Sequence, residues 1–350
     1  MPSPRSIDQS HTISVSTWTI LKVILMLIAL GLIWVLRDVV AMIFVALLLS
    51  ALIDPFADWF ARHHIPRALA VILVYICLLG IGTSVIILLV PPLVAQVQQL
   101  VTNFSSIVES LMGTVNRFQA VTIQYGFGEN FQSGLQALES GVSSSVSGIF
   151  STVTGFFGSL AALVIVFVLT FYMVVEEDSA RRFFKNMAPV EYQPFLSGLF
   201  NKMQKRIGYW LRGQLVLGLV VGLAVYVGLL ILGVPYALLL GLIAGLLEIV
   251  PYAGPMLAAV PVLIIAFSVS PVKGILALIL FIVIQQVENN VLVPKIMQKA
   301  TGLNPVVSIV AMLVGVKFGG VTGALLAIPV ATMASVAIEE LFSGLSEKTK

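Results

Sequence analysis

The stretch "EIVPYAGP" (248–255) sets a carboxylate, two prolines and a glycine inside one of the most apolar parts of the chain. From Leu211 to Val272 only Arg212 and Glu248 carry charge. An ionisable side chain at membrane depth is costly and faces a cavity or a partner. Glu248 is therefore a candidate proton or cation site, with Gln214 as a nearby amide and Arg212, Lys295 or Lys317 as candidate counter-charges. Pro251 and Pro255 are expected to stop the helix, and Gly254 to let the chain reverse closely. Tyr252 supplies a ring that can pack and hydrogen-bond at once.

Two further stretches carry comparable chemistry. In "QQVENNVLVPK" (285–295), Gln285, Gln286, Glu288, Asn289 and Asn290 crowd together just before Pro294. They read as a cytoplasmic helix end or as cavity lining, and the two coexist at a cavity mouth. The segment "GPMLAAVPV" (254–262) resembles "TGALLAIPV" (322–330), with Pro261 falling on Pro329 and Ala259 on Ala327. Upstream of the second copy, "GVKFGGVTG" is a glycine-rich break holding Lys317, Gly320 and Gly323. Paired, short, interrupted apolar segments are a sequence pointer to a transporter's substrate site. Chance similarity between Ala/Leu/Val-rich segments is the competing explanation.

The elements that must position these residues follow from composition. The chain is 59% hydrophobic and 10% charged, against about 25% charge in a soluble domain. Apolar runs at 18–36, 39–53, 68–90, 153–175, 215–232 and 273–287 read as spanning helices. The blocks 235–270 and 305–338 are apolar but broken. The expected fold is an all-α polytopic membrane protein of about eight transmembrane helices, with broken or re-entrant segments and an external helical hairpin. The hairpin is 92–150: Leu93, Val97, Leu100, Phe104 and Leu111 recur at helical spacing, and "YGFGEN" interrupts the pattern. Its stripe is expected to bury against another subunit, its own partner helix or the membrane surface.

The organisation expected is a tail and three spans over 1–91, the hairpin over 92–150 and a fourth span over 151–175. An amphipathic cytoplasmic helix over 176–208 follows, then a transport core over 209–338 and a cytoplasmic tail over 339–350. Lys and Arg mark the cytoplasmic side. Arg62 and Arg67 flank one loop, and Arg181, Arg182, Lys185, Lys202, Lys205 and Arg206 fill another. The 92–150 segment has one basic residue, Arg117. Alternation then puts both termini in the cytoplasm. His11, His63 and His64 all fall in aqueous segments, which argues against an intramembrane hydrolase. Neither a nucleotide-binding motif nor a nucleic-acid-binding pattern is present, so any transport is gradient-driven, and no cofactor or metal is expected. Cys77 is the single cysteine.

In order, "YWLRGQ", "LGVPYALLLGLIAGLLEIVPYAGP", "ENNVLVPKIM", "GLNPVVSIVAMLVG" and "GALLAIPV" resemble the signatures of the autoinducer-2 exporter-like family, the PerM-type permeases. "PFADWFARHHIPRALAV" matches that family's early loop. The resemblance implies a bacterial inner-membrane secondary transporter that exports a small polar signalling molecule. Its alternatives are a sodium (lithium)/proton antiporter and, from another class, a membrane scaffold. It also implies a homo-oligomer in the lipid bilayer, with a pentamer as one option. Glu248 departs from the family's usual Asn, and a carboxylate invites a proton or cation where an amide would not. "VVEED" likewise replaces an "LKD"-like stretch.

Overall fold

The computed structural model describes residues 17–117, 160–176, 189–297 and 303–347. The "YGFGEN" turn, the second hairpin arm, and Arg181, Arg182 and Lys185 lie outside them. Every regular element among the described residues is helical. Five of these helices are long and apolar enough to cross a membrane, and shorter apolar helices accompany them. The protein is an all-α polytopic membrane protein, as its composition requires: in hydrocarbon a chain satisfies its backbone polar groups within helices.

The first two helices, α1 (Thr17–Val35) and α2 (Arg37–Arg62), are joined through Leu36 alone. Leu36 N donates to Leu32 O, and Val40 N donates to Leu36 O, both at 2.9 Å. These α-type bonds carry the helix through a bend and not through a reversal. The expected cytoplasmic N-terminus relied on a reversal at this point, and the helix shows none. A short turn with His64 at positive φ leads into α3 (Arg67–Thr102), which runs unbroken through Pro91 and Pro92. It then bends at Asn103 into α4 (Phe104–Arg117).

The apolar face of α4 buries Ile107 and Leu111 in this chain's own C-terminal core, beside Val225, Leu229 and Ala266. Among the described residues this core covers Ile107 and Leu111, a covering the sequence reading did not name. Asn103 Nδ2 donates to the Tyr236 hydroxyl at 3.3 Å, and Leu239 N donates to Gln96 Oε1 at 2.9 Å. These bonds tie the bend to the core.

The fourth span is α5 (Leu160–Val175), packed against α2 and α3. Thr170 and Tyr75 hide their hydroxyls in bonds to Val166 O at 2.7 Å and Phe167 O at 2.9 Å. Next, α6 (Gln193–Ile231) is one 39-residue helix. At 1.5 Å per residue it extends about 58 Å, more than a bilayer core. No break in the helix marks the expected boundary at 208: the chain stays helical through Gly208.

The two interrupted blocks are two helical hairpins. The first joins α7 (Ala237–Leu247) to α8 (Ala253–Val269). After it come α9 (Pro271–Val287), capped by Ser270 Oγ, and a π-helical turn over Glu288–Leu292. Pro294 has no N–H for the preceding turn, which loosens the α ladder where the π turn forms. The second hairpin is α10 (Pro305–Glu347), folded at Gly320, whose φ of 56° favours glycine. Gly315 and Gly323 bring its arms into backbone contact. Its last turns reach past the expected end of the core at 338 and pair with α6: Lys202 Nζ meets Glu340 at 2.5 Å, and Arg206 meets Glu339 at 2.8 Å.

Candidate functional site

The α6–α7 crossing builds the site. A Cβ on Gly218 would lie 2.6 Å from Gly245 O, and one on Gly245 would lie 2.6 Å from Gly218 O. Only glycine on both sides permits this approach, the usual device for close helix packing in membranes. The crossing sets Glu248, at the C-terminus of α7, against α6. Gln214 Nε2 on α6 donates to the Glu248 backbone carbonyl, one of the acceptors a helix end leaves open. The chain then turns through Pro251 and Tyr252, which has positive φ. A Cβ on Gly254 would lie 2.0 Å from Leu247 O, so only glycine allows this reversal. Pro255 lies in the first turn of α8, where no N–H is needed; it starts that helix and does not stop the previous one.

From the other side the π turn brings in Glu288. Its carboxyl lies within hydrogen-bonding reach of the Glu248 carboxyl. Glu248 is 2% exposed, Glu288 6% and Gln214 3%. Gln285 Nε2 donates to Glu288 Oε2 at 2.7 Å. Glu248 Oε2 is buried with no hydrogen-bond partner, and no ion pair among the described residues reaches either carboxyl. Two carboxylates in contact cannot both hold charge away from water unless a proton or cation lies between them. Such an arrangement has the chemistry to hold one proton or one small cation. No group of three or more metal-ligating side chains occurs among the described residues.

The remaining sequence candidates distribute unevenly. Gln286 and Asn290 are exposed and bond to each other, with Asn290 Nδ2 at 2.9 Å from both Gln286 O and Oε1. Pro294 and Lys295 are exposed just beyond the π turn. Lys317 and Gly320 are exposed at the tip of the second hairpin, Gly323 packs inside it, and Pro329 is buried. Lys317 is no counter-charge for Glu248.

Arg212 leaves the carboxyl pair altogether. Pro55 in α2 has no N–H to give to Ala51 O, and Arg212 Nη1 fills that vacancy at 3.1 Å. Its guanidinium lies 5.2 Å from the Tyr209 ring centre. Arg212 thereby joins a second polar cluster that the sequence reading missed. Asp54 accepts from Gln204 Nε2 at 2.5 Å, and Arg67 Nη2 lies 3.6 Å from Asp54 and 3.3 Å from Asp58. The signal was available as helical spacing: Asn201, Gln204, Lys205 and Arg212 share one face of α6, and Asp54 and Asp58 share one face of α2. The apolar run that signals the second span stops at Ile53, whereas α2 continues to Arg62 and carries Asp54 and Asp58 beyond it.

A family model described as AI-2E family transporter matches residues 23–343. The chain is 28% identical over 277 residues to "Putative transport protein YueF" of Bacillus subtilis, covering 77% of this chain and 75% of that one. It is 25% identical over 305 residues to "Putative transport protein YrrI" of the same organism, covering 86% of each. To "Putative transport protein YhhT" of Escherichia coli K12 it is 24% identical over 329 residues, covering 93% and 91%.

Proposed function

The chain belongs to the AI-2E transporter family, and from that premise we propose a gradient-driven secondary transporter coupled through the Glu248–Glu288 carboxyl pair. It is a multi-pass membrane protein of a transporter family, not of an enzyme class. The observation that carries the coupling is the buried pair itself, in contact and, among the described residues, without an ion pair to a cationic side chain. Such a pair binds a proton or a monovalent cation on one side of the membrane and must release it on the other.

The α7–α8 hairpin supplies the element that moves or opens. Its helices of 11 and 17 residues reach about 16 and 26 Å, short of the roughly 30 Å hydrocarbon core. We read the hairpin as re-entrant, with its broken backbone facing a water-accessible pathway. The cargo we assign is a small polar signalling molecule of the autoinducer-2 type, exported across a bacterial cytoplasmic membrane. Homo-oligomeric assembly is part of the same proposal. A second reading, sodium (lithium)/proton antiport, is favoured by the acceptor-only chemistry of the pair, which suits a cation as cargo.

Proteoliposomes with a pH dye inside separate these readings. Imposed proton and sodium gradients should each be tested with and without a polar furanone. Furanone flux that collapses the proton gradient supports export. Sodium-driven proton movement without furanone supports antiport. No flux under any gradient rejects both.

A further inference from the structure

We propose that the polar cavity between α2 and α6 is a binding site for a small, neutral, polyhydroxylated solute, separate from the Glu248–Glu288 pair; it rests on the transporter reading and supplies that reading with a cargo subsite. The cavity is about 200 Å³, the volume of about six liquid waters. It lies between the two helices beside their close contact at Gly208, where a Cβ would lie 2.7 Å from Ala51 O.

Its lining decides the class of ligand. Carboxylates of Asp54 and Asp58 face cations of Lys205 and Arg212 across the same space, so the formal charges on the wall cancel. A simple anion would meet the two acids, and a simple cation would meet the two bases. Several of these charges are also already engaged: Asp54 with Gln204 and Arg67, and Arg212 with Ala51 O. A neutral ligand leaves those contacts intact.

What the wall still offers is hydrogen bonding. Asn201 Oδ1 is buried with no hydrogen-bond partner, and a buried acceptor of this kind calls for a donor from a ligand or water. Asp58 and Lys205 are exposed at the rim, where they offer an acceptor and a donor. Tyr209 adds an aromatic side chain to the wall. Amides, carboxylates and cations on one wall, together with an aromatic side chain, match alternating hydroxyl donors and acceptors on a small ring compound.

Equilibrium binding of tritiated D-ribose to the purified full-length protein, with no gradient present, tests the site. L-alanine and acetate serve as zwitterionic and anionic competitors. Saturable ribose binding is expected, displaced by cold ribose and not by the competitors. Asn201→Ala should weaken it about fivefold, the effect of one neutral hydrogen bond, with Cys77→Ser as a folding control that leaves it unchanged. Absence of saturable ribose binding, displacement by L-alanine or acetate, or wild-type affinity in Asn201→Ala would each overturn the proposal. Binding read without a gradient is independent of flux. Loss of the cavity assignment and loss of the coupling assignment are therefore separate results.

Discussion

Glu248 and Glu288 stand at opposite kinds of helix irregularity, one at a helix end and one opening a π turn, and each irregularity frees the side chain from its own helix. A coupling ion held between them gains charge-assisted contacts of about 1.5–3 kcal/mol each. Replacing Glu248 by Gln keeps shape and packing but removes the charge. Gradient-driven flux should therefore fall about tenfold or more, with the protein still extracting as a folded species on gel filtration. Normal flux in Glu248→Gln under every gradient would leave the carboxyl a structural helix end. Glu288→Gln should behave alike, and the double variant should be no worse than either single one, since the two groups act as a unit.

At the scale of elements, the α6–α7 contact and the docking of α4 are the joints that hold the site in place. Gly245→Ala would drive a methyl into Gly218 O. Overpacking of this kind costs about 1–3 kcal/mol, and the expected result is a lower melting temperature in detergent together with reduced flux. An unchanged melting curve would mean that the helices slide apart freely. Leu111 is 5% exposed within the C-terminal core. Truncation to Ala should cost about 2–5 kcal/mol, as for other buried leucines, and thermal unfolding would show it. If Leu111→Ala instead shifted only the oligomeric state, α4 would be an assembly surface and not a strut of the fold.

For the whole molecule, the ion pairs from Lys202 and Arg206 to Glu340 and Glu339 put the last turns of α10 beside the basic first third of α6. By the positive-inside rule the excess of Lys and Arg there is expected to place that end in the cytoplasm. A cysteine at exposed Ser105, in a Cys77→Ser background, should react with an impermeant thiol reagent applied outside. A cysteine at exposed Glu191 should react only after the membrane is opened. The reverse pattern would invert the protein in the bilayer.

The sequence by itself determined the membrane class, the helical fold, the family motifs and the position of both breaks. Those follow from local causes: too few polar groups to face water, and Pro or Gly where an apolar helix must end. Even the close reversal at Gly254 was legible, because it depends on residues a few positions apart. Only the tertiary structure decided that Glu248 meets Glu288, that Arg212 turns away to Ala51 and the Asp54 cluster, and that α4 covers its own core. Helix α7 is apolar on every side, so no stripe in the sequence says which face meets which neighbour, and the stripe that α4 does carry marks a buried face without naming what covers it. Glycine crossings such as Gly218 on Gly245, and a backbone carbonyl vacated by Pro55, select those faces once the chain has folded.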